Sequence, residues 1–189
     1  PTMIMSNDAR GCYDRIHHVI AVLALIRFGV PWKVAMVLFA VLKRSLHAIQ
    51  TGIGLEEDAY GGIFEDIHGS GQGNGLAPAL WALILTCLII LMQRRGHGIC
   101  WKSALSGLRV CLAYFSYVDD TDLAVTAQHT GARGEDLIIP GQKALDNWAS
   151  SLGATGGELE PSKTFVYLLD YVLNEKTGWH RYRTKEEMP

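Results

Sequence analysis

The stretch Phe115-Ser116-Tyr117-Val118-Asp119-Asp120 places two adjacent carboxylates at the end of an aromatic and β-branched segment. Successive side chains of a strand point to opposite faces of a sheet, so a strand cannot present both acids on one face. A tight turn can present both outward, and two like charges held together need a cation or a raised pKa. The stretch therefore predicts a hairpin of residues 108–117 and 121–127 with the acids at its turn. An ordinary polar turn is the alternative.

Helices and strands are expected to alternate on both sides of this hairpin. The apolar run of residues 76–92 is either a buried helix or a membrane span, and its short uninterrupted part after Pro78 favours the buried helix. We expect an α+β fold, in which a central antiparallel sheet packs against helices on one face. The hydrophobic spacing predicts further helices over residues 12–28, 31–46 and 140–152, and strands over residues 3–8, 164–172 and 178–183.

The composition is that of a globular protein, with 49% hydrophobic and 19% charged residues in 189. The net charge of −2 is low for a self-sufficient nucleic-acid-binding enzyme, since such proteins are usually basic. The four cysteines form no C-x-x-C pair, so their spacing indicates neither a zinc knuckle nor a disulfide framework. We therefore expect a reduced, intracellular protein, in the nucleus or the cytoplasm. The start on Pro1 and a strand suggests a piece of a longer protein.

A second acidic motif lies far upstream, where Asp8 ends a predicted strand and Tyr13 follows five positions later. A carboxylate at a strand end can project into a cleft, although a helix N-cap is the alternative for Asp8. Asp14 is expected to support the start of the next helix. Between the acidic motifs, the Gly-rich stretch 69–75 contains Gln72 and leads into a helix. Such a loop lets a backbone approach an anionic ligand, whereas a flexible linker is the alternative.

Asp8, Asp119 and Asp120 together supply three carboxylates. Mg²⁺ takes oxygen ligands and is usually bound by a few carboxylates together with substrate phosphates. Two such ions a few Å apart stabilise the attacking and the leaving oxygen of an in-line phosphoryl displacement. The acidic motifs therefore predict a site for two Mg²⁺ ions, with Mn²⁺ as a substitute.

Four motifs in this order resemble the palm domain of a retroelement reverse transcriptase, over about residues 1–170. In that family an aromatic residue follows the first Asp at the fifth position. A Gln-Gly-x-x-x-Ser/Ala-Pro loop, a Tyr-x-Asp-Asp box and a Gly-x-x-x-Asn/Pro-x-Lys element come after it. The matching residues here are Asp8, Tyr13, Asp14, Gln72, Gly73, Ala77, Pro78, Tyr117, Asp119, Asp120, Gly157, Pro161 and Lys163. On this resemblance residues 1–172 are a palm, and residues 173–189 are a C-terminal tail leading towards an absent thumb.

The resemblance implies RNA-directed DNA polymerase activity, in which dNTPs are added to a primer 3′-hydroxyl on an RNA or DNA template. Asp8, Asp119 and Asp120 would be the catalytic residues that hold the two Mg²⁺ ions. The alternatives from other classes are an RNA-dependent RNA polymerase palm, a domesticated palm that serves as a binding scaffold, and a membrane-anchored protein. If the chain is a reverse transcriptase palm, we expect it not to bind a membrane.

The resemblance also implies substrate-binding roles. Tyr13 would lie beneath the incoming sugar and select deoxynucleotides, and Gln72 and Gly73 would contact the nucleotide or the template. Lys163 would lie near the triphosphate as a proton donor to pyrophosphate, and Arg10 would reach a phosphate. A buried core Tyr13 and solvent-exposed Lys163 and Arg10 are the alternatives from sequence alone.

Parts of the family's polymerase lie outside this chain. The fingers precede the first Asp in the family, and only seven residues precede Asp8 here. The thumb should follow the palm, and little chain remains after it. We therefore expect the fingers and thumb to lie elsewhere in a parent polyprotein, and the 189 residues alone to extend a primer poorly.

Overall fold

The computed structural model describes residues 1–62, 67–71, 73–103, 105–127 and 131–187 of the chain. Over these residues the fold is mixed α+β with antiparallel sheets, which confirms the fold class predicted from the sequence. The helices are α1 (His18–Arg27), α2 (Trp32–Arg44), α3 (Ala77–Arg94) and α4 (Ile138–Gly153). The strands are β1 (Thr2–Arg10), β2 (Leu46–Thr51), β3 (Gly54–Gly61), β4 (Ile99–Lys102), β5 (Arg109–Leu112), β6 (Tyr114–Tyr117), β7 (Asp120–Thr126), β8 (Glu158–Leu159), β9 (Phe165–Leu169), β10 (Tyr171–Asn174) and β11 (Trp179–Tyr182).

The chain divides into two compact units. The first, here called the sheet unit, comprises Pro1–Arg10, Leu88–Ala154 and Glu158–Pro189. The second, here called the helical unit, comprises Gly11–Cys87 and Thr155–Gly157. The domain boundaries expected from the sequence stay predictions.

The sheet unit is built around β1, which pairs antiparallel with β7 along one side. Along its other side β1 pairs with β8 at Ala9 and Arg10, and with β9 from Thr2 to Ser6. β6 continues the sheet beyond β7. Among the described residues these strands form a five-stranded sheet in which β1 is central. Of the predicted hairpin 108–117/121–127, the part next to the turn is present as β6 and β7.

Helix α4 packs on one face of this sheet, against β1, β7 and β8. Met3, Met5 and Leu123 are buried on that face, as the period-2 alternation of a half-covered strand requires. The Tyr114 and Trp148 rings meet at 5.5 Å between their centroids, tilted by 32°. Burying each large apolar side chain contributes about 1.5–3 kcal/mol, so this layer dominates the stability of the sheet unit. The sheet's opposite surface is here called the open face.

The helical unit contains α1, α2, the β2–β3 hairpin and the first part of α3. α1 and α2 pack against each other and are joined at Gly29 and Pro31, where the sequence predicts a helix stop and restart. The buried apolar residues of the unit include Ala21, Leu25, Ala35, Leu42, Leu80, Trp81 and Ile84.

Helix α3 contains the apolar run that the sequence interprets as a buried helix or a membrane span. Its 18 residues have a mean hydropathy of 1.7 and 39% of them are buried inside the protein. Within the described residues it is the one helix long and apolar enough to cross a membrane, by length and composition alone. Core helices of soluble proteins meet the same criterion, so this is weak evidence for a span.

The first helix begins later than the sequence predicts. The spacing indicated a helix over residues 12–28, but α1 starts at His18. Gly11 has a φ of 58°, and the backbone N–H of Asp14 bonds to its carbonyl, so residues 11–14 form a turn. Tyr13 and Asp14 therefore lie before the helix, and the expectation that Asp14 supports the helix start is wrong.

The strand predicted over residues 108–117 is two strands. β5 pairs with β4 and β6 pairs with β7, and the chain changes partner at the buried Ala113. A continuous run of β-forming residues cannot reveal such a change, because it does not encode which strand lies beside it. The β4–β5 hairpin therefore belongs to a separate two-stranded sheet.

Two of the four cysteines form a disulfide, contrary to the expectation from their spacing. Cys100 on β4 lies directly opposite Cys111 on β5, with 4.0 Å between their Cα atoms. Cys12 and Cys87 are free thiols. The sequence does not indicate this pair, because the 11-residue separation matches no metal or redox motif and only the hairpin register brings the two thiols together.

Candidate active site

The predicted Asp-Asp hairpin closes in a two-residue turn. β6 ends at Tyr117 and β7 begins at Asp120, which pairs with Tyr117. Val118, the first turn residue, has a φ of 58° and is the one non-glycine residue with a positive φ in the described part of the chain. A positive φ at the first turn residue is typical of a type II′ hairpin, where glycine is usual. A β-branched residue there carries strain on the order of 1–3 kcal/mol.

The turn is anchored to the central strand. Asp8 lies directly opposite Asp120 in the β1–β7 register, and the backbone N–H of Ala9 donates to the Asp119 carbonyl at 3.0 Å. Directly opposite residues on antiparallel strands share a face, with Cβ atoms about 4.5–5.5 Å apart. Asp8 and Asp120 therefore lie on the same surface of the sheet, and two like charges so placed are destabilising without a cation.

That cation is supplied by Lys163. Its Nζ donates to Asp8 Oδ2 at 2.9 Å, and the Asp8 side chain is only 9% exposed. The hydrogen bond and the charge of Asp8 raise the pKa of the Lys163 ammonium, and the charges of Asp119 and Glu160 add to the effect. The lysine lies at the end of the short turn Pro161–Lys163. The structure thus places Lys163 against Asp8, and its expected position near the triphosphate stays a prediction.

The segment that carries Lys163 is itself fixed to β1. The Glu160 backbone N–H donates to the Asp8 carbonyl at 3.0 Å, and the Lys163 N–H donates to the Glu160 carbonyl at 3.0 Å. Arg10 lies two residues beyond Asp8 on β1. Its guanidinium nitrogens Nη1 and Nε lie 4.0 Å from Glu158 Oε2 and 3.7 Å from Glu160 Oε2. Arg10 therefore has acidic neighbours within its own unit, and its expected phosphate contact stays a prediction.

The expected metal ions would be held by the carboxylates of the acidic motifs. Carboxylate oxygens at Asp8 and Asp120 are the ligands that Mg²⁺ prefers. Over the described ranges, however, no three His, Cys, Asp or Glu side chains gather into a metal-binding group. The chemistry of the carboxylate pair fits Mg²⁺, while the three-ligand arrangement expected with Asp119 is not formed. Metal binding stays a prediction.

The remaining predicted site residues belong to the helical unit or lie outside the described residues. Gln72 is outside them. Tyr13 is joined to the Gly-rich loop, because its carbonyl accepts from the Ser70 backbone N–H at 2.7 Å and from Ser70 Oγ at 3.3 Å. Gly73, two residues from the end of that loop, is exposed and has a φ of 91°. The structure thus brings the Tyr13 turn and the Gly-rich loop together within one unit.

The Gly-rich loop approaches the turn that contains Tyr13 most closely at Gly69, where the two backbones nearly touch. Gly69 has a φ of 90°, and a Cβ added there would lie 2.5 Å from the Asp14 backbone. Its N–H donates to the Ile16 carbonyl at 2.8 Å, and its own carbonyl lies 2.6 Å from His18 Nε2. Glycine at position 69 is therefore required for the loop to contact the turn that contains Tyr13.

The open face carries further residues beyond the predicted site residues. Asp122 shares this face with Asp120 because the two are separated by one position on β7. Exposed aromatic side chains alternate in the same way on the edge strands. They are Phe115 and Tyr117 on β6, and Phe165 and Tyr167 on β9. The Phe-x-Tyr spacing in both strands is visible in the sequence and could have identified them.

Comparison with known proteins gives matches of fold only. A structure described as telomerase from Candida tropicalis in complex with a TWJ fragment of telomeric RNA has a TM-score of 0.56 and 11% identity. It is matched over 98% of this chain and 30% of its own. The corresponding Candida albicans telomerase structure has a TM-score of 0.55 and 11% identity, over 100% of this chain and 32% of its own.

The chain therefore spans about a third of the length of these telomerases. No family model matches the chain, and no curated protein matches it. Telomerase is related to reverse transcriptases, so the similarity supports a reverse-transcriptase-like fold. At 11% identity the similarity concerns the fold alone.

Proposed function

We propose that this chain is the palm of a retroelement-type reverse transcriptase and that its parent protein transfers dNTPs to a primer 3′-hydroxyl. The observation that supports this most directly is the cross-strand position of Asp8 and Asp120, next to the Asp119 turn, in a reverse-transcriptase-like fold. In the proposed reaction the primer 3′-oxygen attacks the α-phosphorus of the dNTP. The bond from that phosphorus to the bridging oxygen breaks, and pyrophosphate leaves.

In this proposal Asp8, Asp119 and Asp120 would hold the Mg²⁺ ions, and Mn²⁺ would substitute. When bound, such ions stabilise the charge that develops on the attacking and leaving oxygens. We propose two tasks for Lys163, of which its contact with Asp8 supports the first. It neutralises the buried carboxylate before substrate arrives, and it supplies a proton to the pyrophosphate.

The open face would receive the primer and template. Four exposed aromatic rings flank the acidic residues on this face, on β6 and on β9. Aromatic side chains stack on bases without sequence preference, at about 1–3 kcal/mol per base. The telomerase neighbours are complexes with RNA, which favours a nucleic-acid partner for a fold of this kind.

Selection of deoxynucleotides is assigned to Tyr13, with Gln72 and Gly73 as contacts to the nucleotide or template. The bond between Tyr13 and Ser70 supports a joint role, because it fixes the Gly-rich loop beside the tyrosine. Within this proposal, Tyr13→Ala lowers the preference for dNTPs over rNTPs, while Tyr13→Phe keeps it.

The scaffold alternative also has a specific observation in its favour. The Lys163 ammonium already neutralises Asp8, and the described residues gather no three-carboxylate group. A palm whose acidic residues are balanced internally can keep its fold without metal ions. Such a domain would bind nucleic acid or protein and would not incorporate nucleotides.

A primer-extension assay separates these functions. The 189-residue chain and its longer parent protein would be incubated with a labelled primer on an RNA template, Mg²⁺ or Mn²⁺, and either dNTPs or rNTPs. We expect dNTP incorporation by the parent, loss of it in Asp119→Asn, and wild-type incorporation in Asp146→Asn, whose carboxylate bonds Gln142 on α4. Incorporation of rNTPs alone would identify an RNA polymerase palm. If the parent protein incorporates neither dNTPs nor rNTPs, the binding-scaffold function is the one that remains.

A further inference from the structure

Two cavities lie next to each other in the sheet unit, away from the acidic residues. One has a volume of about 830 Å³ and is lined by the β4–β5 hairpin, the segment that follows α3 and the end of β7. The other, of about 320 Å³, is lined by the start of α4 and the end of β7. They share Gly96, His97, Gly98, Thr126 and Ala127. We treat them as one groove, here called the His97 groove.

The groove is at the opposite end of β7 from the Asp119 turn. Asp120 begins the strand and Thr126 ends it, and six residue steps of a strand extend about 20 Å. The acidic residues of the open face and the His97 groove are thus separate sites on the same sheet. A small ligand in the groove therefore does not contact Asp8, Asp119 or Asp120.

Cationic side chains surround the groove. Arg109 lines the larger cavity, and Arg95 and Lys143 line the smaller one. Lys102 lies directly opposite Arg109 in the β4–β5 register. These four residues, here called the cationic cluster, form no ion pair with a carboxylate anywhere in the described ranges. Asp136 also lines the smaller cavity, but its Oδ2 accepts from the Arg133 backbone N–H at 2.8 Å.

The β4–β5 hairpin holds Lys102 and Arg109 side by side, and their repulsion lowers its stability. Like charges directly opposite each other on antiparallel strands are destabilising. The Cys100–Cys111 disulfide is two positions along the same strands and lies on the same face, so it fixes the register that opposes Lys102 to Arg109. Both cysteines line the larger cavity. An anion between the two cations would remove their repulsion.

His97 supplies a hydrogen-bonding group that lines both cavities. The Asn147 amide donates to its Nε2 at 2.8 Å, which leaves the ring proton on Nδ1. Burial lowers the pKa of the His97 imidazole, and the charges of Lys143 and Arg95 lower it further. Burial is the larger of these causes, and the two cations are the ones that line the smaller cavity.

We propose that the His97 groove binds phosphate groups through the cationic cluster. Phosphate oxygens accept charge-assisted hydrogen bonds from Arg and Lys, and Arg matches them with two parallel N–H donors. The ligand is either the backbone of a single-stranded nucleic acid or a small phosphate compound. The site goes beyond the proposed polymerase function, because it uses no residue of the acidic motifs.

The first test is binding of a fluorescent ten-nucleotide single-stranded RNA, measured by anisotropy over a range of NaCl concentrations. The double variant Lys102→Ala/Arg109→Ala should weaken binding roughly tenfold or more. It should also reduce the slope of log K against log salt by about 1.4, since each contact to a single strand contributes about 0.7. Lys143→Ala should also weaken binding. Because Lys143 is on α4, its effect cannot be caused by misfolding of the β4–β5 hairpin.

The matched control is Lys33→Ala/Lys176→Ala, which removes two exposed cations outside the cationic cluster. It should leave both the affinity and the salt slope unchanged. Hydrogen exchange should show protection of residues 99–112 when the RNA is bound. Equal loss in the control and cluster variants, or no loss in either, would overturn the proposal.

The second test identifies the source of the phosphate. Inorganic phosphate and ATP are titrated alone and as competitors of the RNA. Binding of RNA that depends on the cluster and resists millimolar phosphate assigns a nucleic-acid backbone, whereas binding of phosphate or ATP without RNA assigns a small ligand. If none of the three binds, the proposal fails. These binding assays contain neither dNTPs nor divalent ions, so failure of the polymerase proposal and failure of this one are distinguishable.

Discussion

Asp8 on β1 and Asp120 on β7 lie directly opposite each other in the antiparallel register, on the open face of the sheet. Such a pair is unfavourable by itself, and the structure balances it with the Lys163 ammonium, 2.9 Å from Asp8. The three residues come from distant parts of the chain. The acidic site is therefore coupled to the packing of the segment after α4 on β1.

This relationship predicts non-additive stability effects. Lys163→Ala should lower the free energy of unfolding, because the nearly buried Asp8 carboxylate then faces Asp120 without a cation. Asp8→Asn/Lys163→Ala should be less destabilised than Lys163→Ala alone, since the amide carries no charge. Urea unfolding of the two single variants and the double variant measures the coupling. Lys176→Ala, on an exposed turn, serves as the control, and additive effects would contradict the ion pair.

The strained turn predicts that Val118→Gly stabilises the protein. Glycine adopts a φ of 58° without a Cβ clash, while it also increases the entropy of the unfolded chain. We expect a net gain of about 0.5–1 kcal/mol in the free energy of unfolding. Val110→Gly, in the strand β5, should instead destabilise by about 0.5–1 kcal/mol. Equal losses in both variants would show that residue 118 is not strained.

Local features were predictable and long-range pairings were not. The Asp119 turn followed from strand periodicity and turn chemistry, which act within a few residues. The Asp8–Lys163 pair joins positions 155 residues apart and depends on how β8 and β9 share the edge of β1. The Cys100–Cys111 bond likewise depends on the hairpin register. No periodicity in the sequence determines which strand neighbours which.

The cross-strand disulfide predicts a stability that depends on reductant. Closing a loop of this length removes about 2–3 kcal/mol of loop entropy from the unfolded state. Cys100→Ser/Cys111→Ser should therefore lose about that amount under non-reducing conditions and should be unaffected by reductant. Cys87→Ser, which removes a free thiol, should keep the sensitivity of the wild type to reductant. Thermal unfolding with and without dithiothreitol makes the comparison.

His97 predicts a pH-dependent term in the stability of the sheet unit. Burial and neighbouring cations lower the pKa of the folded imidazole below its ordinary value of 6.5, so the unfolded state binds the proton more readily. The contribution is fully present above pH 6.5 and is lost as the pH falls through the lower folded pKa. His97→Gln keeps a neutral side chain and should flatten the stability profile between pH 5 and 7. An unchanged slope would exclude His97 as its source.

Substitution by alanine should destabilise the protein to different extents at two glycines of the Gly-rich loop. Gly69 and Gly71 both have positive φ, at 90° and 77°, but only a Cβ at position 69 would meet the Asp14 backbone, at 2.5 Å. Gly71→Ala should therefore cost about 1–2 kcal/mol, the penalty of the left-handed conformation alone. Gly69→Ala should cost clearly more, because the loop must also move away from the turn that contains Tyr13. If the two variants unfold at the same denaturant concentration, the loop does not need the close approach at Gly69.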